Sequence, residues 1–248
     1  MKIIQITDLH VDKENEFPYD IDVRRNFKRV LNAARRQKPD HLVISGDLCY
    51  QDGEKEIYEW IKLQLDNSKI PYDIIAGNHD DSLLMAEVFK CEHLLTNDEL
   101  FFAKKIGKAT CIFLDSGKGF HSDDQLKWLK RQLKNAGDDL LIFMHHPPAK
   151  AGVPFMDNKY PLQDIEAIQK IFFAHQDFLP IFCGHYHVEK TIHVQNIMIQ
   201  ITPSCFFQMD QNEEDFKVDH HSIAYRLIDL SNGSLKTSVK YFRGNKAR

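Results

Sequence analysis

Five short apolar runs punctuate the chain, at Lys2–Ile6, 41–44, Tyr72–Ile75, Leu140–Phe143 and Leu179–Cys183. Each is rich in β-branched or aromatic residues and lacks regular polar alternation, the pattern of a strand buried on both faces. Between them the periodicity becomes helical. Val23, Phe27, Val30, Leu31 and Ala34 share one face of a helix predicted over 21–37, which Pro39 closes. Ile57, Trp60, Ile61 and Leu65 do the same over 54–65, and a third helix is predicted over 81–89. Strand and helix alternate through this half, which predicts right-handed crossovers and a largely parallel sheet.

The pattern then changes. Runs 101–105 and 109–114 flank Gly107 and predict a hairpin. Ser122 and Gln125 form a capping-box pattern ahead of Leu126, Trp128, Leu129 and Leu133, a helix that Gly137 ends. The Pro and Gly residues of 147–154 predict an irregular loop over the strand ends, followed by a helix over 162–175. Four further runs, 188–194, 197–202, 223–230 and 235–242, predict a second sheet, with turns at Asn196 and at Asn232-Gly233.

Residues able to bind a metal gather just after the five buried runs: Asp8 and His10, Asp47 after Gly46, Asn78 after Gly77, His145, and His185 and His187 after Gly184. In open α/β sheets the carboxyl ends of the strands converge on one crevice, so these clusters read as one dinuclear metal site. Asp8 and His10, two apart on an extended strand end, are expected to point to one face. A carboxylate such as Asp47 can span two cations about 3.5 to 4 Å apart, although Gly-Asp by itself equally suits a helix cap or an Asx turn. Asn78 offers a neutral amide oxygen, and a turn role suits it too. Of the pair His145-His146, His145 directly follows the strand, leaving His146 to support the site or face the substrate.

Composition narrows the function classes. The 248 residues suffice for a single domain, 1–248, and no linker divides them. Hydrophobic content of 43% with 27% charged residues excludes a disordered chain. A net charge of −4 supplies no basic footprint for stable nucleic-acid binding. No apolar run reaches the roughly 18 residues of a membrane span. The chain opens on a strand that already carries candidate ligands, with no room for a signal peptide, so a cytoplasmic location is expected. Cys49, Cys91, Cys111, Cys183 and Cys205 are odd in number and lack CxxC spacing, so free and mostly buried thiols are expected. Glu213–Asp215 and His220-His221 read as a solvated loop. Phe206-Phe207 can stack on a nucleobase, or can be core or a dimer interface.

Asp8-Leu9-His10, Gly46-Asp47, Gly77-Asn78-His79-Asp80, His145 and Gly184-His185-Tyr186-His187 together resemble the ordered motif set of the calcineurin-like metallophosphoesterases, over nearly the whole chain. Within that superfamily, Met144-His145-His146-Pro147-Pro148 and Ser204-Cys205-Phe206-Phe207 are most similar to the class III cyclic nucleotide phosphodiesterases. The resemblance implies a four-layer α/β/β/α sandwich of two mixed sheets flanked by helices. It assigns one metal to Asp8, His10, Asp47 and His187, and the other to Asp47, Asn78, His145 and His185. It makes His79 the residue that contacts the phosphoryl group and protonates the leaving oxygen, with Asp80 to orient it.

On this resemblance two ions lower the pKa of a bridging water, and the resulting hydroxide attacks phosphorus in line without a covalent enzyme intermediate. Asp, His and Asn donors without Cys suit Mn, Fe, Zn or Co, with Mn or a mixed Fe/Mn pair favoured. The expected substrate is a small phosphodiester, foremost 3′,5′-cyclic AMP hydrolysed to 5′-AMP. Alternatives are a glycerophosphodiester or nucleotide pyrophosphate, or a non-catalytic scaffold on the same fold. A homodimer is expected from the resemblance alone.

Overall fold

Burial decides how the apolar runs assemble. The computed structural model describes residues 1–135, 137, 139–231 and 233–247. Strands β1 (Lys2–Ile6), β2 (His41–Ser45) and β3 (Tyr72–Ile75) pair in parallel as expected, joined by helices α1 (Val23–Arg36) and α2 (Lys55–Ser68), with α3 (Ser82–Phe89) following β3. Two short ladders stand apart, β4 (Leu95–Thr96) with β5 (Glu99–Leu100), and β12 (Gln208–Met209) with β13 (Val218–His220). The predicted hairpin is β6 (Phe102–Ile106) and β7 (Ala109–Phe113), and α4 (Asp123–Asn135) leads to β8 (Leu140–Phe143). Helices α5 (Pro154–Lys159) and α6 (Ile165–Phe173) precede β9 (Leu179–Cys183). The chain finishes with β10 (Lys190–Val194), β11 (Ile197–Ile201), β14 (Ser222–Ser231) and β15 (Ser234–Arg243).

Two mixed sheets result. One has the order β15-β14-β1-β2-β3, the other β10-β11-β9-β8-β7-β6. The expectation that the last four runs form a sheet of their own is corrected: β10 and β11 extend the second sheet beside β9, whereas β14 and β15 extend the first beside β1. Nor do the five ligand-bearing strands share one parallel sheet, because β1 to β3 lie in one sheet and β8 and β9 in the other. A buried apolar run identifies a strand but not its partner, and a parallel strand that needs both faces covered can find that cover in either sheet. The β10–β11 turn falls at Asn196 as expected, with Val194 paired to Ile197. Asn232 of the other expected turn lies outside the described residues.

The sheets pack face to face, and alternation along the second one separates two cores. Cys111, Phe113, Leu141, Phe143 and Phe182 face the first sheet, while Ile112, Leu114, Ile142 and Ile181 pack against α4 and α6. On the inner face Phe102, Phe113, Phe143 and Phe182 occupy aligned positions on four neighbouring strands. Their rings stack with centroids 4.5, 5.3 and 5.4 Å apart, the offset arrangement that aromatic quadrupoles favour.

Beside this ladder runs a polar seam. The Gln5 amide donates to Ser45 Oγ at 2.8 Å and to the Cys183 carbonyl at 3.1 Å, and accepts from Thr202 Oγ1 at 2.6 Å. The buried Arg226 guanidinium donates to Thr202 Oγ1 and to the Ile201 carbonyl. The seam satisfies buried polar groups and ties the two sheets together just below the ligand-bearing loops. Among the described residues no helix is long and apolar enough to cross a membrane.

Phe143 is fully buried at the centre of the ladder. Phe143→Ala is expected to cost about 3–5 kcal/mol, read as a lower midpoint in urea unfolding; a loss below about 1 kcal/mol would mean that the inner face closes over the gap.

Candidate metal centre

The loops that leave β1, β2, β8 and β9 meet above the polar seam, and their backbone rather than strand alternation aims the side chains. Asp8 and His10 lie beyond the end of β1 with φ of 52° and 45°. The expectation of two side chains on one face of an extended strand is therefore corrected. Asp47, His185 and His187 are also left-handed, with φ of 51°, 68° and 51°. The Asp8 amide donates to the Gly46 carbonyl and the His10 amide to the Asp47 carbonyl, both at 3.0 Å, so the first two corners brace each other. The His185 amide donates to Asp8 Oδ1 at 3.0 Å, which locks in the corner after β9. Gly77 could not be replaced without cost, since a Cβ there would collide with the Asp47 carboxylate and lie 2.9 Å from His145 Nε2.

Two groups of donors result. Asp8, His10 and His187 converge within 4.8 Å, as do Asp47, His145 and His185. Asp47 connects them, with Oδ2 3.3 Å from His145 Nε2 and 3.6 Å from His10 Nε2. His79 completes a third grouping with His10 and Asp47. Asn78 is exposed and lines the same cavity beside His79.

The outer ring nitrogens are held by backbone carbonyls: His145 Nδ1 by Ser45 at 2.9 Å, His185 Nε2 by Tyr160 at 2.9 Å and His187 Nδ1 by Phe207 at 3.1 Å. Such bonds fix the tautomer and leave the opposite nitrogen to a metal. His145 Nε2 is buried without a hydrogen-bond partner. His10 Nε2 and His187 Nε2 are 3.0 Å apart, close to the separation of two nitrogens each about 2.1 Å from one cation and at right angles about it. An orphaned buried nitrogen and paired imidazoles around two buried carboxylates fit divalent metal ions.

Charge in the cluster is strongly perturbed. Burial pushes the Asp47 carboxyl up, but His145, His10 and His79 overcome that and hold it well below the usual range. Burial likewise opposes ionisation of Asp8, and His187 with His145 outweighs it to lower its pKa. Burial drives His10 down to about 3 and His185 to about 4. His145 goes the other way, to about 9, because Asp47 and Asp8 outweigh its burial.

The assignment of Asp80 as the residue orienting His79 is corrected. The Asp80 carboxylate accepts from the Gly77 amide at 2.9 Å, the Leu48 amide at 3.1 Å and the Tyr58 hydroxyl at 3.0 Å. It thereby clamps the loop after β2 to the loop after β3. Its pKa rises to about 6 through burial and the nearby Asp47 charge. The Gln51 carbonyl orients His79 instead, 2.7 Å from Nδ1, while the His79 amide donates to Asp47 Oδ1 at 3.0 Å. His146 is buried, with Nδ1 3.0 Å from Ser116 Oγ and its ring 4.0 Å from that of His185. It backs His185 and does not line the cavity. Neither Gln51, which acts through its backbone, nor Ser116 carries a sequence signal for these roles.

A cavity of about 550 Å³ opens over the cluster, within the span of small-molecule sites. Tyr19, Tyr50, Phe155, Tyr160, Phe206 and Phe216 are among the residues enclosing it. Phe206 and Phe207 are core residues at its floor, only 2% and 3% exposed. Outside it, Lys217 pairs with Glu213 and Asp210, and His220 lies against Tyr241, so the 213–221 region forms no metal grouping among the described residues.

Comparison with known proteins agrees with this architecture. Residues 1–189 match the family model for the calcineurin-like phosphoesterases. A probable cyclic nucleotide phosphodiesterase of Fibrobacter succinogenes is 34% identical over 242 residues, covering 98% of this chain and 94% of its own. The glycerophosphodiester phosphodiesterase GpdQ of Enterobacter lignolyticus is 29% identical over 227 residues, covering 87% and 81%. A dimetal phosphatase from Danio rerio shares the fold, with a TM-score of 0.69 at 13% identity over 98% of this chain and 96% of its own. The chain belongs to the calcineurin-like phosphoesterases, a two-metal hydrolase family, and is a phosphodiesterase of that class.

Metal ligands must be deprotonated. With its pKa raised to about 9, His145 carries a proton near neutral pH in metal-free protein, and its own contribution to metal-free stability is full below pH 6.5 and lost as pH rises through about 9. Metal uptake at about pH 7.5 is expected to release about one proton from this group, measured by calorimetry in two buffers of different ionisation enthalpy. Undiminished release by His145→Gln would place that proton elsewhere.

Proposed function

We propose that the protein hydrolyses 3′,5′-cyclic AMP to 5′-AMP on a dinuclear metal centre. The observation that carries the reading is the convergence of Asp8, His10, Asp47, His145, His185 and His187 with His79 at the floor of one cavity. Asp8, His10, Asp47 and His187 would hold one ion, and Asp47, Asn78, His145 and His185 the other. The donor set lacks thiolate and suits Mn or a mixed Fe/Mn pair. Bound there, the pair supplies a nucleophile from water at neutral pH and neutralises charge on the phosphoryl oxygens.

The residues of the chain do the rest. Gln51 holds His79 by Nδ1, so Nε2 is the ring nitrogen left for substrate. In its protonated form His79 donates to the phosphoryl oxygen and then gives its proton to the departing 3′-oxygen as the P–O3′ bond breaks and a water oxygen joins phosphorus. Asp80 keeps the loops of Asp47 and His79 in register through the Leu48 and Gly77 amides. The cyclic nucleotide relative supports a cyclic substrate. The GpdQ relative favours a glycerophosphodiester as the second reading. A non-catalytic scaffold is disfavoured because each expected ligand position is filled by a suitable donor.

The test is hydrolysis of cyclic AMP by Mn-reconstituted protein, beside bis(p-nitrophenyl) phosphate and a glycerophosphodiester, with Asp47→Ala as the inactive control. Mn-dependent formation of 5′-AMP is expected; turnover of the glycerophosphodiester alone would select the second reading. His79→Ala is expected to retain both metals by elemental analysis while kcat falls about 10²- to 10⁴-fold, and an unchanged kcat would remove His79 from the mechanism.

A further inference from the structure

We propose that the aromatic wall of the cavity, which runs from Phe207 at its floor outward through Tyr19, Phe216 and Phe155, is a stacking surface for the base of the substrate, and that it accepts a purine without reading its identity. The inference rests on the phosphodiesterase reading only in placing the phosphate at the Asp47 end. Single exposed hydrophobic side chains need no explanation, whereas clustered ones mark binding surfaces. Tyr19 is 53% exposed and Phe216 41%, and both line this cavity. Tyr19 lies 5.3 Å from Phe207 and 5.8 Å from Phe216, and Phe216 lies 5.8 Å from Phe155, between ring centroids. These spacings leave no slot for a further ring between them. The side chains therefore form one continuous wall on which a flat group lies.

The backbone under Tyr19 is built to hold it there. Tyr19 adopts the left-handed conformation, φ 53° and ψ 31°, and Asp20 follows at φ 57°. For a bulky residue this is strained, and such strain persists only where the surroundings enforce it. The C-terminal segment enforces it: the Ala247 amide donates to the Asp20 carbonyl at 2.8 Å, the Asp22 amide to the Asn245 carbonyl at 3.0 Å, and Ile21 bridges to Lys246.

Charge at the cavity narrows the ligand. Among the described residues its lining includes no Lys or Arg, so the cationic partners it offers a phosphate are the histidines and the metals they would hold. Lys159 lies nearby over the Phe155 ring but pairs with Asp215 at 3.6 Å. A ligand with one phosphate and one aromatic base fits, whereas a second phosphate would meet no Lys or Arg among the described residues of the lining. Outside the His and Asp cluster the polar side chains are Asn78 and Gln51, on the loops around His79, and the hydroxyls of Tyr19, Tyr50 and Tyr160, while Met156, Met209 and the phenylalanines give the remaining lining an apolar face. Stacking without hydrogen-bond readout is tolerant of base identity.

The test is binding of 5′-AMP, 5′-GMP and ribose 5-phosphate to Mn-loaded protein by calorimetry. Both nucleotides are expected to bind about 5- to 150-fold more tightly than the sugar phosphate, and within about threefold of each other. Tyr19→Ala and Phe216→Ala should each shrink that advantage, and Tyr19→Phe should keep it. Equal Kd values for all three ligands, a tenfold preference for one base, or an undiminished advantage in both alanine variants would overturn the proposal. Cyclic AMP turnover with equal Kd values would overturn the wall and leave the phosphodiesterase reading standing; base-dependent binding without turnover would do the reverse.

Discussion

Two carboxylates, Asp8 and Asp47, are buried almost completely at the junction of two sheets, among imidazoles whose own burial resists protonation. Isolated buried charge costs far more than a domain's net stability, so such a cluster persists only with matching positive charge. His145 supplies part of it by holding its proton to about 9. Divalent ions would supply the remainder and release that proton. The rest of the fold is arranged around this constraint, because the candidate ligands must be brought together from the ends of several strands in two sheets, two of them from each of β1 and β9.

Left-handed corners meet that demand. A strand that simply continued would alternate its side chains between faces, whereas a turn through positive φ redirects the chain within a residue. Five site residues adopt it, Asp8, His10, Asp47, His185 and His187. The conformation costs an L-residue on the order of 1–2 kcal/mol. Bonds between the corners offset this cost, from the Asp8 and His10 amides to Gly46 and Asp47 and from the His185 amide to Asp8. Asp80 adds a further tie by bonding both the Leu48 and Gly77 amides. The ligand loops are thus one braced unit, and the polar seam of Gln5, Thr202 and Arg226 anchors it to both sheets.

The cavity above divides its labour by chemistry. Imidazoles and the Asp47 carboxylate line one side, and aromatic rings from Tyr19 to Phe216 line the other. The two sides are mechanically joined, since His187 is held by the Phe207 carbonyl and His185 by the Tyr160 carbonyl. A shift of the Phe207 or Tyr160 backbone is therefore passed to the ring of His187 or His185.

Much of this was legible in the chain. The buried strands, the helices between β1 and β3 and the hairpin around Gly107 follow from local periodicity, and the candidate ligands stand in short polar clusters at strand ends, each of which alone suits a cap, a turn or a buried polar role and only the set of which points to metal. Which sheet each strand joined was not legible, because the runs that became β10 and β14 identify strands but not the neighbours that pair with them. The partner of Asp80 was hidden for a similar reason: a carboxylate next to His79 in sequence turned toward amides of another loop. Tyr19 and Phe216, nearly two hundred positions apart, give no joint signal at all. Residue type and spacing determined what could bind a metal and where strands would end. Only the packing of two sheets, with the left-handed turns their meeting imposes, decided which of those residues face one another, since long-range contact depends on shape and burial that no local pattern encodes.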